Sequence, residues 1–184
     1  MRWWLLSLGL GLAAFARADE TVSVCHGYGC QVQASIRYTE GQLGDVRRML
    51  FATVDAENER KTLAYVVGLL YGWAGDQSEI HNDRGGNYAD DNVPGKMDCI
   101  DHSTSTTRLL RLLENRGYLR WHRVLEPESR NFAGLIPAHW SAVIEELEAG
   151  EAGRYAVDSW FVDNGFPAVI LPLEEWKKGA GPDV

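Results

Sequence analysis

The sequence predicts one α+β domain, with helices ahead of a small antiparallel sheet. Three observations carry this. From Asp55 to about Gly75 apolar residues recur at helical spacing. The last third of the chain holds short strand-like runs separated by turn residues. The two kinds of segment come in blocks, which argues against the alternation of a parallel βαβ sheet. A length of 184 residues with 45% hydrophobic content suits one core and is short for two.

The first residues read as a segment removed before folding. Arg2 precedes an apolar run from Trp3 to Phe15 broken only by Ser7, and Ala16-Arg17-Ala18 has the small-x-small form of a cleavage site. This predicts a secretory signal peptide over 1–18, a single domain over 19–178 and a flexible tail over 179–184. No Cys follows the site directly, so a lipid-modified N-terminus is not indicated. No other stretch reaches the length of a membrane span. The formal charge is −8, with Lys+Arg 18 against Asp+Glu 26 and no basic block. Phosphate affinity rests on clustered Lys and Arg, so nucleic acid is excluded as a partner class.

Along the domain, Val32, Ala34, Ile36 and Tyr38 alternate with polar residues, which predicts a half-buried strand over 31–38. Asp55 is placed to cap the helix that follows, whose Leu63, Val66, Val67, Leu70 and Ala74 mark it as central to the core. Gly68 and Gly72 leave room for a neighbouring element to approach it. Residues 76–96 are polar and rich in Gly, Asn and Asp, as expected of a long loop. A second helix opens near Asp98 and Cys99, buries Thr106, Leu109, Leu110 and Leu113, and stops at Gly117. A hairpin is expected with strands over 139–147 and 154–162, turning on Ala149-Gly150, followed by a short strand over 168–171.

Export changes how the three cysteines read. Cys25 and Cys30 bracket His26-Gly27-Tyr28-Gly29, whose glycines permit the turn that a short bridge needs. A Cys25–Cys30 disulfide in an oxidising compartment is the expectation, with Cys99 free. A thiol at a helix start meets unpaired N–H groups and the positive dipole end, which favour thiolate, while Asp98 and Asp101 oppose it. A thiolate nucleophile needs a base, and His26, His81, His102, His122 and His139 are the candidates. His139 opens a strand, where a base is held rigidly. Asp158 lies inside an otherwise apolar strand and must find a partner. With the turn at Ala149-Gly150, Ser141 faces Asp158, and His139 becomes its diagonal neighbour on the same face. His102, three residues after Cys99 on the same helix face, is the rival base. Singly, each has a bland explanation: a core Cys, a hydrogen-bonded His, an Asp paired with Arg154. Together they make Cys99, His139 and Asp158 a candidate catalytic triad, with Asp163 next in line for the acid.

These residues resemble the bacterial transglutaminase-like cysteine proteinases of the papain-like superfamily. Gly95-Lys96-Met97-Asp98-Cys99-Ile100-Asp101 is similar to that family's Gly-Asp-Cys-acid-Asp motif ahead of a helix. His139-Trp140-Ser141-Ala142-Val143 is similar to its His-Ala-Val strand, and Tyr155-Ala156-Val157-Asp158 to its Tyr-Val-Leu-Asp strand. The likeness spans 95–164 and departs at Ile100, at the inserted Lys96 and Met97, and at Trp140. It implies a papain/transglutaminase-like fold and a periplasmic or secreted thiol hydrolase or acyl transferase. The substrate would be a peptide or protein amide in the cell envelope, and no resident cofactor is implied. Some relatives hold calcium through acidic residues around the Cys. Here Asp98 and Asp101 remain of such a set. Asn82, Asp83, Asn87, Asp90 and Asp91 upstream lack EF-hand spacing and read as a solvated loop. The competing expectations are an inactive transglutaminase-like module that binds an envelope partner, and a structural envelope protein in which Cys99 simply packs.

Overall fold

A computed structural model of the chain describes residues 18–86, 92–131 and 138–182. The expected signal peptide, save Ala18, lies outside them, as do Asn87, Asp90 and Asp91. The fold is α+β, with helices packed on a small antiparallel sheet. It begins with strands, however, rather than helices. β1 (Glu20–His26) pairs antiparallel with β2 (Val32–Tyr38), from Glu20↔Tyr38 to His26↔Val32. The sequence pattern revealed β2 and missed β1.

α1 (Glu40–Phe51) was also not anticipated, although its signal is local. Thr39 accepts from the Gln42 amide and Gln42 returns a bond to the Thr39 amide, a complete capping box. Leu43, Val46 and Leu50 then fall on one buried stripe. α2 (Ala56–Gly75) starts where expected, with Asp55 Oδ1 accepting from Asn58 N at 2.7 Å. Leu63, Val66, Val67, Leu70 and Ala74 are fully buried. Gly68 does permit a close approach: a Cβ there would sit 2.5 Å from the Phe166 carbonyl oxygen. A short 3₁₀ turn (Glu79–Asn82) interrupts the long loop. α3 (Cys99–Asn115) follows, capped by Asp98, and ends as Gly117 takes φ 67°.

The sheet comprises β3 (His122–Val124), β4 (Glu128–Arg130), β5 (His139–Glu146), β6 (Arg154–Asp158) and β7 (Val169–Pro172). Its order is β3-β5-β6-β7, with β4 pairing an earlier stretch of β5. β5 and β6 pair as Ala142↔Val157 through Glu145↔Arg154, the register expected for a turn at Ala149-Gly150. β6 stops at Asp158, short of the expected Val162, because Asp158 Oδ1 accepts from Trp160 N at 3.2 Å and the chain turns there. α4 (Leu173–Lys177) closes the fold and buries Trp176 completely. The main core lies between α1, α2, α3 and the sheet. A second cluster of Val143, Ala156, Trp160, Phe161, Leu173 and Trp176 fills the other side of β5 and β6, and Cys99 packs against it.

Gly95 fixes the approach to α3. Its φ is 82°, and a Cβ would lie 1.9 Å from the Glu79 carbonyl oxygen. Gly95→Ala forces either the 3₁₀ turn or the start of α3 to move, so it should cost about 3 kcal/mol or more. Chemical denaturation checks this, and an unchanged midpoint would contradict it.

Candidate functional site

The site is built from the start of α3, the start of β5 and the end of β6. Cys99 is the first residue of α3, within the turn whose N–H groups have no helical partner. Its thiol is half-buried, with Sγ 3.9 Å from the Ala138 carbonyl oxygen. His139 opens β5 and Asp158 ends β6. The hairpin register makes them diagonal neighbours, and His139 Nε2 meets Asp158 Oδ2 at 2.7 Å. That leaves Nδ1 as the ring nitrogen not engaged by Asp158, and the Cys99 thiol acts on the same ring, holding its pKa up. The structure therefore brings Cys99, His139 and Asp158 together in that order.

Asp158 is buried and accepts from three donors. Besides His139, Trp176 Nε1 donates to Oδ2 at 2.8 Å and Trp160 N donates to Oδ1. The imidazole sits in an aromatic wall, with ring centroids of Trp160, Phe161 and Trp176 at 4.7, 5.5 and 5.7 Å. Burial alone would lower the His139 pKa. Hydrogen bonds to Asp158 and Cys99, together with their charges, outweigh it and push the value up to about 9. A histidine raised above its ordinary 6.5 adds stability that is complete below about 6.5 and is lost as pH rises through about 9. The melting midpoint should fall across that window, and His139→Ala should flatten the fall. An equal fall in both proteins would contradict the assignment.

Three of the other four histidines have partners elsewhere. His81 Nδ1 bonds the Ser78 carbonyl oxygen at 2.8 Å. His122 Nδ1 bonds the buried Glu59 at 2.8 Å, and Arg60 lies 3.2 Å from its Nε2. His26 is buried at the end of β1. His102 is not exposed on the first turn of α3. It is buried, with Nδ1 2.9 Å from Ser159 Oγ and Nε2 3.0 Å from Asp83 Oδ2. Both nitrogens are thus taken by groups other than Cys99. Ser159 also bonds Thr106 Oγ1 at 2.9 Å, which bonds Tyr71 OH at 3.0 Å. This chain ties α2, α3 and the residue after Asp158 into one unit. Asp83 was expected in solvent; instead it is buried, and its second oxygen accepts from Met97 N at 2.8 Å.

Two alternatives to the Asp158 assignment, Arg154 as its partner and Asp163 as the acid, are also placed. Arg154 pairs with Glu145 and Glu151, leaving Asp158 to His139. Asp163 pairs with Arg84 and accepts from Gly85 N, each at 3.0 Å. Sequence reasoning missed Trp176. Its signal is the spacing Leu173-x-x-Trp176, one turn of an amphipathic helix between the last expected strand and the Gly-rich tail.

Cys25 and Cys30 form the expected disulfide, leaving Cys99 free. Their sulfurs lie beside Asp101, but a bridged pair offers no thiolate to a metal. Asp98 and Asp101 do not fit a calcium ion. Asp98 Oδ1 accepts from Asp101 N at 2.9 Å and Oδ2 from Gly29 N at 2.9 Å. Asp101 Oδ1 accepts from Cys30 N at 2.6 Å, and Oδ2 from Tyr28 N at 2.8 Å and Asp98 N at 3.1 Å. Each of the four oxygens faces an amide proton, the wrong sign for a cation. No helix among the described residues is long and apolar enough to cross a membrane.

Comparison with protein-family models, with curated proteins and with solved structures returned no match.

Proposed function

We propose that the protein is a thiol hydrolase or acyl transferase of the transglutaminase-like kind, acting on a peptide or protein amide outside the cytoplasm. The observation that carries this is His139, hydrogen-bonded through Nε2 to the buried Asp158, with the free thiol of Cys99 acting on the same ring. The leader-like N-terminus and the disulfide support export.

The residues divide the work as follows. The Cys99 thiolate attacks the acyl carbon, and the electron pair of the carbonyl moves onto its oxygen. The Cys99 amide, free of a helical partner, donates to that oxyanion. Imidazolium His139 gives its proton to the departing amine, leaving a thioester on Cys99 and a neutral imidazole. Water or an acceptor amine then attacks, His139 takes its proton, and the thiolate leaves. Asp158 holds the ring orientation throughout and stabilises the imidazolium. Trp176 and Trp160 in turn hold Asp158, while the aromatic wall keeps water from its charge.

The test is incubation of the mature protein with a cell-envelope extract, followed by a search for new peptide termini and new isopeptide links. Products that appear with wild type and vanish with Cys99→Ala and His139→Ala support the proposal. Retention of an envelope protein without any product, unchanged by His139→Ala, would favour the binding module instead.

A further inference from the structure

The loop closed by Cys25–Cys30 takes no part in the reaction above, yet it lies against the first turn of the nucleophile's helix. Four consecutive residues, Gly27, Tyr28, Gly29 and Cys30, have φ of 81°, 68°, 62° and 57°. Tyr and Cys rarely adopt this left-handed backbone, and it persists only where surrounding structure imposes it. The conformation turns three successive amides to one side. Those of Tyr28 and Cys30 reach Asp101, and that of Gly29 reaches Asp98. Successive N–H groups turned this way make a nest for anions. The anions held here are the two carboxylates that flank Cys99 in sequence. The loop is anchored on both sides. Gly27 N donates to the Lys96 carbonyl oxygen at 2.8 Å, Cys25 N donates to Ser105 Oγ at 2.8 Å, and Arg108 reaches Cys25 Sγ at 3.4 Å.

The charges around Cys99 explain what such a nest does. His139 comes from β5 with Asp158 behind it from β6, Lys96 lies on the segment before α3, and Asp98 and Asp101 lie on the thiol's own turn. Two bare carboxylates there oppose a thiolate. Asp101 is fully buried, and burial, with the charge of Asp98, pushes it up to about 6 against the amides of Asp98, Cys30 and Tyr28. The loop supplies two of those three opposing donors.

We propose that the Cys25–Cys30 loop is a redox-opened clamp on the nucleophile: closed, it turns amide dipoles onto the charges of Asp98 and Asp101 and fixes the start of α3; opened, it leaves those charges facing the thiol and slows the chemistry of Cys99. Opening requires a dithiol reductant. One of its thiolates attacks a bridge sulfur to give a mixed disulfide, and its second displaces the protein thiol. Cys25 and Cys30 gain two electrons and two protons while the dithiol becomes a disulfide. Without the covalent tie, the left-handed backbone at Tyr28 and Cys30 relaxes and its amides leave the carboxylates. The proposal rests on the thiol reading of Cys99.

The test compares wild type with Cys25→Ser/Cys30→Ser, reading iodoacetamide alkylation of the Cys99 peptide against pH. On the acid side of the Cys99 midpoint the open-loop protein should react about tenfold more slowly, its rate profile displaced by about one pH unit to the alkaline side. Adding Asp98→Asn and Asp101→Asn, which keep capping side chains but remove the charge, should return the rate toward wild type. Superimposable profiles, or a slow protein that the Asn pair fails to rescue, would overturn the proposal. Should the double-Ser protein not fold, the same profile is read on wild type with its bridge reduced by a phosphine. Unfolding there would make the bridge a folding staple and also overturn the clamp. The comparison reads a shift between closed and open loops. It therefore stands apart from the hydrolase reading, which fails if His139→Ala leaves the wild-type profile unmoved.

Discussion

His139→Ala should lower the alkylation rate of Cys99 at pH 6 by about 10²-fold. An ordinary cysteine ionises near 8.5, so at pH 6 on the order of one thiol in a few hundred is the reactive thiolate. The imidazolium of the proposed pair, held beside the sulfur, would remove that limit. The loss should shrink as pH approaches about 9, where a free thiol ionises unaided and His139 itself gives up its proton. His102→Ala is the informative control. Both its ring nitrogens bond Asp83 and Ser159, so the substitution leaves two buried groups short of a partner. It should lower the melting midpoint and leave the alkylation rate per folded molecule within a few-fold. A reversed pattern, with His102 controlling reactivity and His139 only stability, would refute the choice of base.

Asp158→Asn should impair both turnover and stability. The carboxylate accepts from His139 Nε2, Trp176 Nε1 and Trp160 N. An amide has one acceptor atom, so its NH₂ must face at least one of those donors. Leaving a buried donor unsatisfied costs about 1–3 kcal/mol. An acid that only oriented His139 would let Asn keep the fold; the bonds from Trp160 and Trp176 make Asp158 structural as well. Loss of the orienting acid reaches about 10⁴-fold in the serine-protease case, with less expected for a thiol that is already ionised. The melting midpoint and the peptide-hydrolysis rate per folded molecule, taken on one sample, separate the two effects. An unstable Asp158→Asn protein with an undiminished rate would remove Asp158 from the catalytic set.

Much of the site was legible because local signals fix it. Asp98 before Cys99 and Asp101 three residues on marked a helix start, and the glycines between Cys25 and Cys30 marked a closable turn. The turn at Ala149-Gly150 set a register, and period-two geometry then placed His139 beside Asp158. What escaped was set by contacts between distant segments. β1 did carry a short local signal, Val22 and Val24 alternating with Thr21 and Ser23, but its pairing comes from β2. Asp83 sits in a polar, Gly-rich stretch that reads as solvent-exposed. Its burial follows from His102 and Met97, which packing brings to it. Trp176 reaches Asp158 because α4 folds back over β6, a return that no local pattern encodes.

The central claim is a Cys99–His139 ion pair at neutral and mildly acid pH. The difference in ultraviolet thiolate absorbance between wild type and Cys99→Ala measures it directly, since Cys25 and Cys30 are bridged and do not titrate. The account predicts that the thiolate band is already present at pH 6 and is lost there when His139 becomes Ala. A band that rises only around pH 8 to 9 in both proteins, as for an ordinary thiol, would contradict it.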